Sequence, residues 1–113
     1  MKRGEVWLIN LDPTVGAEIR KTRPVAILSS DSIGLLPLRV IVPLTDWKER
    51  YQNAIWMVKI QADARNGLIK DSAADAFQVR SVPTARFVRK LGELTQEQTD
   101  RIAFAIGLVV EHP

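Results

Sequence analysis

Only one stretch of this chain repeats its apolar residues at helical spacing, and it is the last. Ile102, Ala105, Ile106, Val109 and Val110 fall on one face of a helix. Just before them Thr95 and Gln98 form the Thr-x-x-Gln pattern of a capping box. Glu97 and Asp100 follow where the helix dipole favours anions. Everything upstream reads as short strands. Val6, Leu8 and Asn10 alternate with Trp7, Ile9 and Leu11 over Glu5–Leu11, which suits a strand covered on both faces. Further strands are expected at Val25–Ser30, Leu38–Thr45, Ala54–Ile60 and Ser72–Val82. Turns are expected at Asp12–Gly16 and around Asn66-Gly67. Pro43 cannot donate to a ladder, so its end of the third strand belongs at an edge or a bulge. The pattern predicts a mainly β chain with a C-terminal helix: a small, strongly bent barrel or sandwich, one domain over residues 1–113.

Several kinds of chemistry are excluded early. There is no cysteine, hence no disulfide, no thiolate nucleophile and no cysteine–zinc site. The single histidine, His112, is penultimate, so no histidine acid/base pair is available. No glycine-rich phosphate loop or dinucleotide fingerprint occurs. The acids are scattered singly, so neither a catalytic metal nor a cofactor is expected. No apolar run approaches the ~20 residues that span a bilayer. Met1–Glu5 opens on charge instead of a signal-type apolar core, and a cytoplasmic protein is expected. The net charge is +3, and ten of the sixteen cations are arginine, the cation best suited to bidentate phosphate contacts.

Those cations gather before a strand. Arg20, Lys21 and Arg23 surround Thr22, and Pro24 confines Arg23 to extended backbone, which sets its direction. Taken singly, Arg23 suits an ion pair with Glu18 or Asp12 as well as a phosphate contact. Thr45, at the end of the third strand, suits a cap for Asp46–Glu49 equally well.

The whole chain lines up behind these two residues. Residues 3–18 (RGEVWLINLDPTVGAE), 21–31 (KTRPVAILSSD), 40–45 (VIVPLT), 66–87 (NGLIKDSAADAFQVRSVPTARF) and 91–110 (LGELTQEQTDRIAFAIGLVV) resemble, in order, the MazF/PemK family of toxin endoribonucleases. The resemblance implies a twisted antiparallel SH3-like barrel, shared with CcdB-like toxins, acting as a homodimer. It implies metal-independent cleavage of single-stranded RNA at short sequences. The RNA's 2′-hydroxyl attacks the adjacent phosphorus, leaving a 2′,3′-cyclic phosphate and a 5′-hydroxyl. The family's catalytic arginine falls on Arg23 and its threonine on Thr45, with the glutamate of its G-x-E motif on Glu18. Gln78 matches the glutamine of the family's QIR-like segment, followed by Arg80. A MazE-like antitoxin with an acidic tail is the implied partner, and operator DNA would be reached through it. Ile19-Arg20 departs from the glycine-containing loop common in the family, making this loop stiffer and more basic.

The chemistry needs such residues. In-line attack builds negative charge on phosphorus, and a fixed guanidinium donates two parallel hydrogen bonds to it. Glu18 has the basicity to take the 2′-hydroxyl proton if it reaches. Arg20, Lys21, Lys48, Arg50, Arg80 and Arg86 are candidate phosphate contacts. Trp47 and Tyr51 are placed to stack on unpaired bases, although core or dimer packing suits Trp47 at least as well, and Trp56, expected in mid-strand, suits packing. Two other readings fit a small basic barrel: an RNA-binding module that does not cut, and a gyrase-poisoning toxin of related fold. The Arg23/Thr45 pair separates cleavage from mere binding.

Overall fold

A computed structural model describes residues 1–10 and 22–113. The expected turn at Asp12–Gly16 and the candidate residues Glu18, Arg20 and Lys21 lie outside the described residues. The described strands are β1 (Glu5–Asn10), β2 (Thr22–Ile27), β3 (Leu38–Asp46), β4 (Met57–Ile60), β5 (Ser72–Asp75), β6 (Arg80–Pro83) and β7 (Phe87–Glu93). Helix α1 follows at Gln96–Val109. All pairings are antiparallel, and the strands form one open, barrel-like sheet in the order β4-β5-β3-β2-β1-β7, with β6 also on β3.

Strand β3 is the hub. One edge carries β2, while the other carries β6 along Leu38–Ile41 and β5 along Leu44–Asp46. Pro43 sits where β6 has ended and β5 has not begun, so its missing N–H coincides with a break between ladders. That break also corrects the strand expected over Ser72–Val82. It is two strands, divided by a single 3-10 turn at Ala76–Gln78, because each half pairs with a different part of β3.

Side-chain alternation gives the sheet two apolar faces. One face holds Val6, Ala26, Val42, Leu44, Val58, Ile60 and Ala74, packed under Leu94, Ile102 and Ala105 of the helical layer. The opposite face holds a smaller core of Ile9, Val25, Ile27, Ile41 and Val82, bordered by Trp7 and Phe87. Strand β1 therefore is covered on both faces, as its pattern suggested. The capping box is present: Gln98 N–H donates to Thr95 Oγ1 at 3.1 Å, and Thr95 N–H to Gln98 Oε1 at 2.9 Å. Such a cap is worth about 1 kcal/mol. Ile106 and Val109 are half-buried against the main core, but Val110 is exposed. The helix ends at Val109, and Glu111 turns the chain away with φ +58°.

Two further expectations change. Trp56 precedes β4, which starts at Met57 and not at Ala54, and it is an exposed residue whose ring meets Phe77 edge-on at 6.3 Å. Strand β7 had no clear sequence signal. It is tied to β1 by Glu5, whose carboxylate accepts from Trp7 Nε1 at 2.8 Å and lies 3.3 Å from Lys90 Nζ. Burial opposes the Glu5 charge, but the donors of Trp7, Lys2 and Lys90 and the N-terminal ammonium outweigh it and lower its pKa to about 2.

Candidate active site

Arg23 and Thr45 are brought together by register. Val25 lies opposite Pro43, and two residues further along each strand are Arg23 on β2 and Thr45 on β3. Period-two alternation puts both on the face of the smaller core, away from α1. Arg23 is exposed and Thr45 half-buried. Beside them opens a cleft of about 360 Å³ lined by Arg23, Pro43, Thr45, Tyr51, Met57, Asp75, Gln78 and Arg80.

Each element delivers its side chain for a local reason. Pro24, opposite Leu8 in the ladder with β1, keeps the backbone at Arg23 extended. The turn at Ala76–Gln78 carries Gln78 into the cleft and starts β6 at Arg80, opposite Ile41. Asp75 caps that turn, its Oδ1 accepting the Phe77 N–H at 3.1 Å. Tyr51 ends a second 3-10 turn, Glu49–Tyr51. Its ring meets Trp47 edge-on at 6.0 Å, and the Arg50 guanidinium sits 5.4 Å from its centroid. Lys59 Nζ lies 5.2 Å from the Trp47 ring centroid.

Of the residues singled out by sequence, Arg23, Thr45, Gln78 and Arg80 share the cleft, with Tyr51 as its aromatic wall. Trp47 is half-buried behind Tyr51, and Lys48 is exposed next to it. Arg86 belongs to the turn Thr84–Arg86 and does not line the cleft. Asp75 and Met57 were missed. An acid inside the alanine-rich run Ala73–Ala76 was the available signal, but reading it requires the β5 register. Among the described residues no three His, Cys, Asp or Glu side chains gather as a metal site, and no helix is long and apolar enough to cross a membrane. No described ion pair ties Arg23 or Arg80 to a carboxylate. Two guanidinium groups thus line one cleft, and no described carboxylate holds them in an ion pair; two such groups can bind and polarise a phosphodiester.

Comparison with known proteins identifies the family and the fold. Residues 2–110 match the family described as PemK-like, MazF-like toxin of type II toxin-antitoxin system. The chain is 30% identical over 111 residues to endoribonuclease EndoA of Bacillus subtilis (strain 168), covering 96% of this chain and 92% of that one. It is 29% identical over 115 residues to endoribonuclease MazF9 of Mycobacterium tuberculosis, covering 96% and 94%. Among solved structures, an endoribonuclease in complex with its cognate antitoxin from Mycobacterial species superposes with a TM-score of 0.79 at 18% identity, covering 100% of this chain and 97% of that one. That last likeness is one of fold.

Proposed function

The chain belongs to the PemK-like, MazF-like toxins of type II toxin–antitoxin systems, and from that premise we propose that it is a metal-independent endoribonuclease of single-stranded RNA. The observation that carries the proposal is the joint placement of Arg23 and Thr45 in one cleft with Gln78 and Arg80. Arg23 holds a non-bridging phosphate oxygen through its planar fork, and Thr45 donates its hydroxyl to the same phosphoryl group. The RNA's 2′-oxygen attacks phosphorus and the 5′-oxygen leaves, giving 2′,3′-cyclic phosphate and 5′-hydroxyl ends. Tyr51 offers a face for an unpaired base, and Gln78 and Arg80 offer hydrogen bonds to its edges or to a neighbouring phosphate. The family's pairing with antitoxins, and a protein of the same fold solved with its cognate antitoxin, support an antitoxin partner here. An acidic segment suits a cleft lined by two arginines.

Incubation with mixed-sequence RNA in excess EDTA, followed by end mapping, tests this reading. Cleavage at a short recurring sequence with cyclic phosphate ends is expected, and an acidic cognate antitoxin should block it. RNA bound but left whole would favour a binding module, and an absolute need for magnesium would overturn the mechanism.

The proposed assembly is a homodimer. Phe104 and Leu108 are 70% and 40% exposed on the outer side of α1 and share a groove of about 790 Å³ with Ile55 and Met57. Exposed apolar area of this kind marks an interface. Met57 also lines the cleft, so a second copy seated there would border the site. Light scattering at micromolar concentration should give twice the 12.7 kDa chain mass, and Phe104→Asp should shift it toward the monomer.

A further inference from the structure

Among the described residues, Asp75 is the single carboxylate lining the cleft that holds Arg23 and Thr45. Thr45 pairs with Ala73, and Asp75 stands two residues beyond Ala73 on β5, so its side chain leaves the sheet on the same face as Thr45. One oxygen, Oδ1, accepts the Phe77 N–H at 3.1 Å, which fixes the carboxylate in place. No described salt bridge ties it to Arg23, Arg80 or another cation. A guanidinium cannot take a proton near neutral pH and a threonine hydroxyl is a poor base, which leaves the carboxylate as the described group chemically suited to proton removal. A carboxylate beside a phosphodiester is repelled by it, and two arginines in the same cleft offset that repulsion.

We propose that Asp75 is the general base of the reaction. The inference rests on the endoribonuclease reading and adds a residue to it. Asp75 takes the 2′-hydroxyl proton as the 2′-oxygen forms its bond to phosphorus. The bond from phosphorus to the 5′-oxygen breaks, and the leaving oxygen takes its proton from water. Arg23 carries the charge that develops on the non-bridging oxygens. Asp75 thus combines two tasks: it caps the turn that presents Gln78, and it moves the proton.

Asp75→Asn separates the tasks, because the amide oxygen still accepts the Phe77 N–H while its basicity is gone. With an RNA oligonucleotide bearing the mapped cleavage site, kcat should fall roughly 10²–10⁴-fold, the usual contribution of a general base, with KM changed only a few-fold. The acid limb of the wild-type pH–rate profile should vanish in the variant, and Asp75→Glu should recover part of the rate. An RNA with sulfur in place of the leaving 5′-oxygen needs no acid for departure, so the Asp75→Asn defect should persist with it. A defect erased by that sulfur would make Asp75 an acid and overturn the proposal, as would wild-type cutting and an unchanged pH profile. If Asp75→Asn does not fold, Asp75→Ser, whose hydroxyl can cap the turn, carries the same comparison with formate added to restore the base. A wild-type chain that cuts no RNA would instead bring down the endoribonuclease reading itself.

Discussion

Arg23→Lys is expected to lower turnover by roughly 10²–10³-fold, the usual cost of removing a preorganised donor to a developing oxyanion. The variant keeps the charge. What it loses is the planar fork, since an ammonium presents a point donor that cannot bond two oxygens in parallel. The effect depends on rigidity: Pro24 fixes the approach of the arginine, and the next residue, Val25, is fully buried between β1 and β3. Lysine would keep the backbone direction and still miss the geometry. RNA affinity should change little, because phosphate contacts are spread over several cations of the same chain. Single-turnover cleavage with saturating protein separates the two quantities. Normal cutting by Arg23→Lys would move the chemistry to another arginine, with Arg80 first in line as the other guanidinium in the cleft.

The helix was legible because everything that makes it is local: a cap, a spacing and an acidic first turn. The strands were legible as runs and illegible as pairings. Nothing within Ser72–Val82 announces a break at Ala76, because the break is imposed by β3, whose Pro43 separates the two ladders. Strand β7 was missed because its register to β1 shifts twice, between Val6 and Trp7 and between Leu8 and Ile9, which scrambles the apolar alternation. Trp56 misled for a related reason: it was expected in mid-strand, but it lies outside the ladder, exposed, with its ring against Phe77. At the site, Arg23 and Thr45 stood out through ordered motifs. Asp75 could not, since its face follows from a register that the sequence of β5 does not contain.

The Asn66-Gly67 pair, read from sequence as a simple turn, supplies the second large effect. Asn66 is fully buried, its Oδ1 accepting from Asp63 N–H and Leu68 N–H and its Nδ2 donating to Gln61 O. The turn lies directly on β7, where Glu93 N–H donates to Arg65 O at 2.9 Å. Gly67 has φ +69°, and a Cβ there would stand 2.1 Å from the Leu91 carbonyl oxygen, a backbone atom that cannot swing aside. Gly67→Ala therefore combines left-handed strain of about 1–2 kcal/mol with a steric clash against a strand. We expect a loss on the order of 4 kcal/mol, in the exceptional range for one substitution and a large part of a typical domain's ~5–15 kcal/mol. Melting should drop by well over ~10 °C, since each kcal/mol moves a domain of this size by several degrees. Gly107→Ala is the matched control: it lies within α1, and its nearest neighbour would be 3.7 Å away. There alanine should gain about 0.5–1 kcal/mol from helix propensity. Because β7 backs β1 and β1 backs the strand that bears Arg23, Gly67→Ala should also remove RNA cleavage on warming. Below its own melting transition its turnover per folded molecule should match the parent's, which sets it apart from Arg23→Lys, folded and slow at every temperature. A Gly67→Ala chain that melts with the parent would refute the backbone contact between this turn and β7.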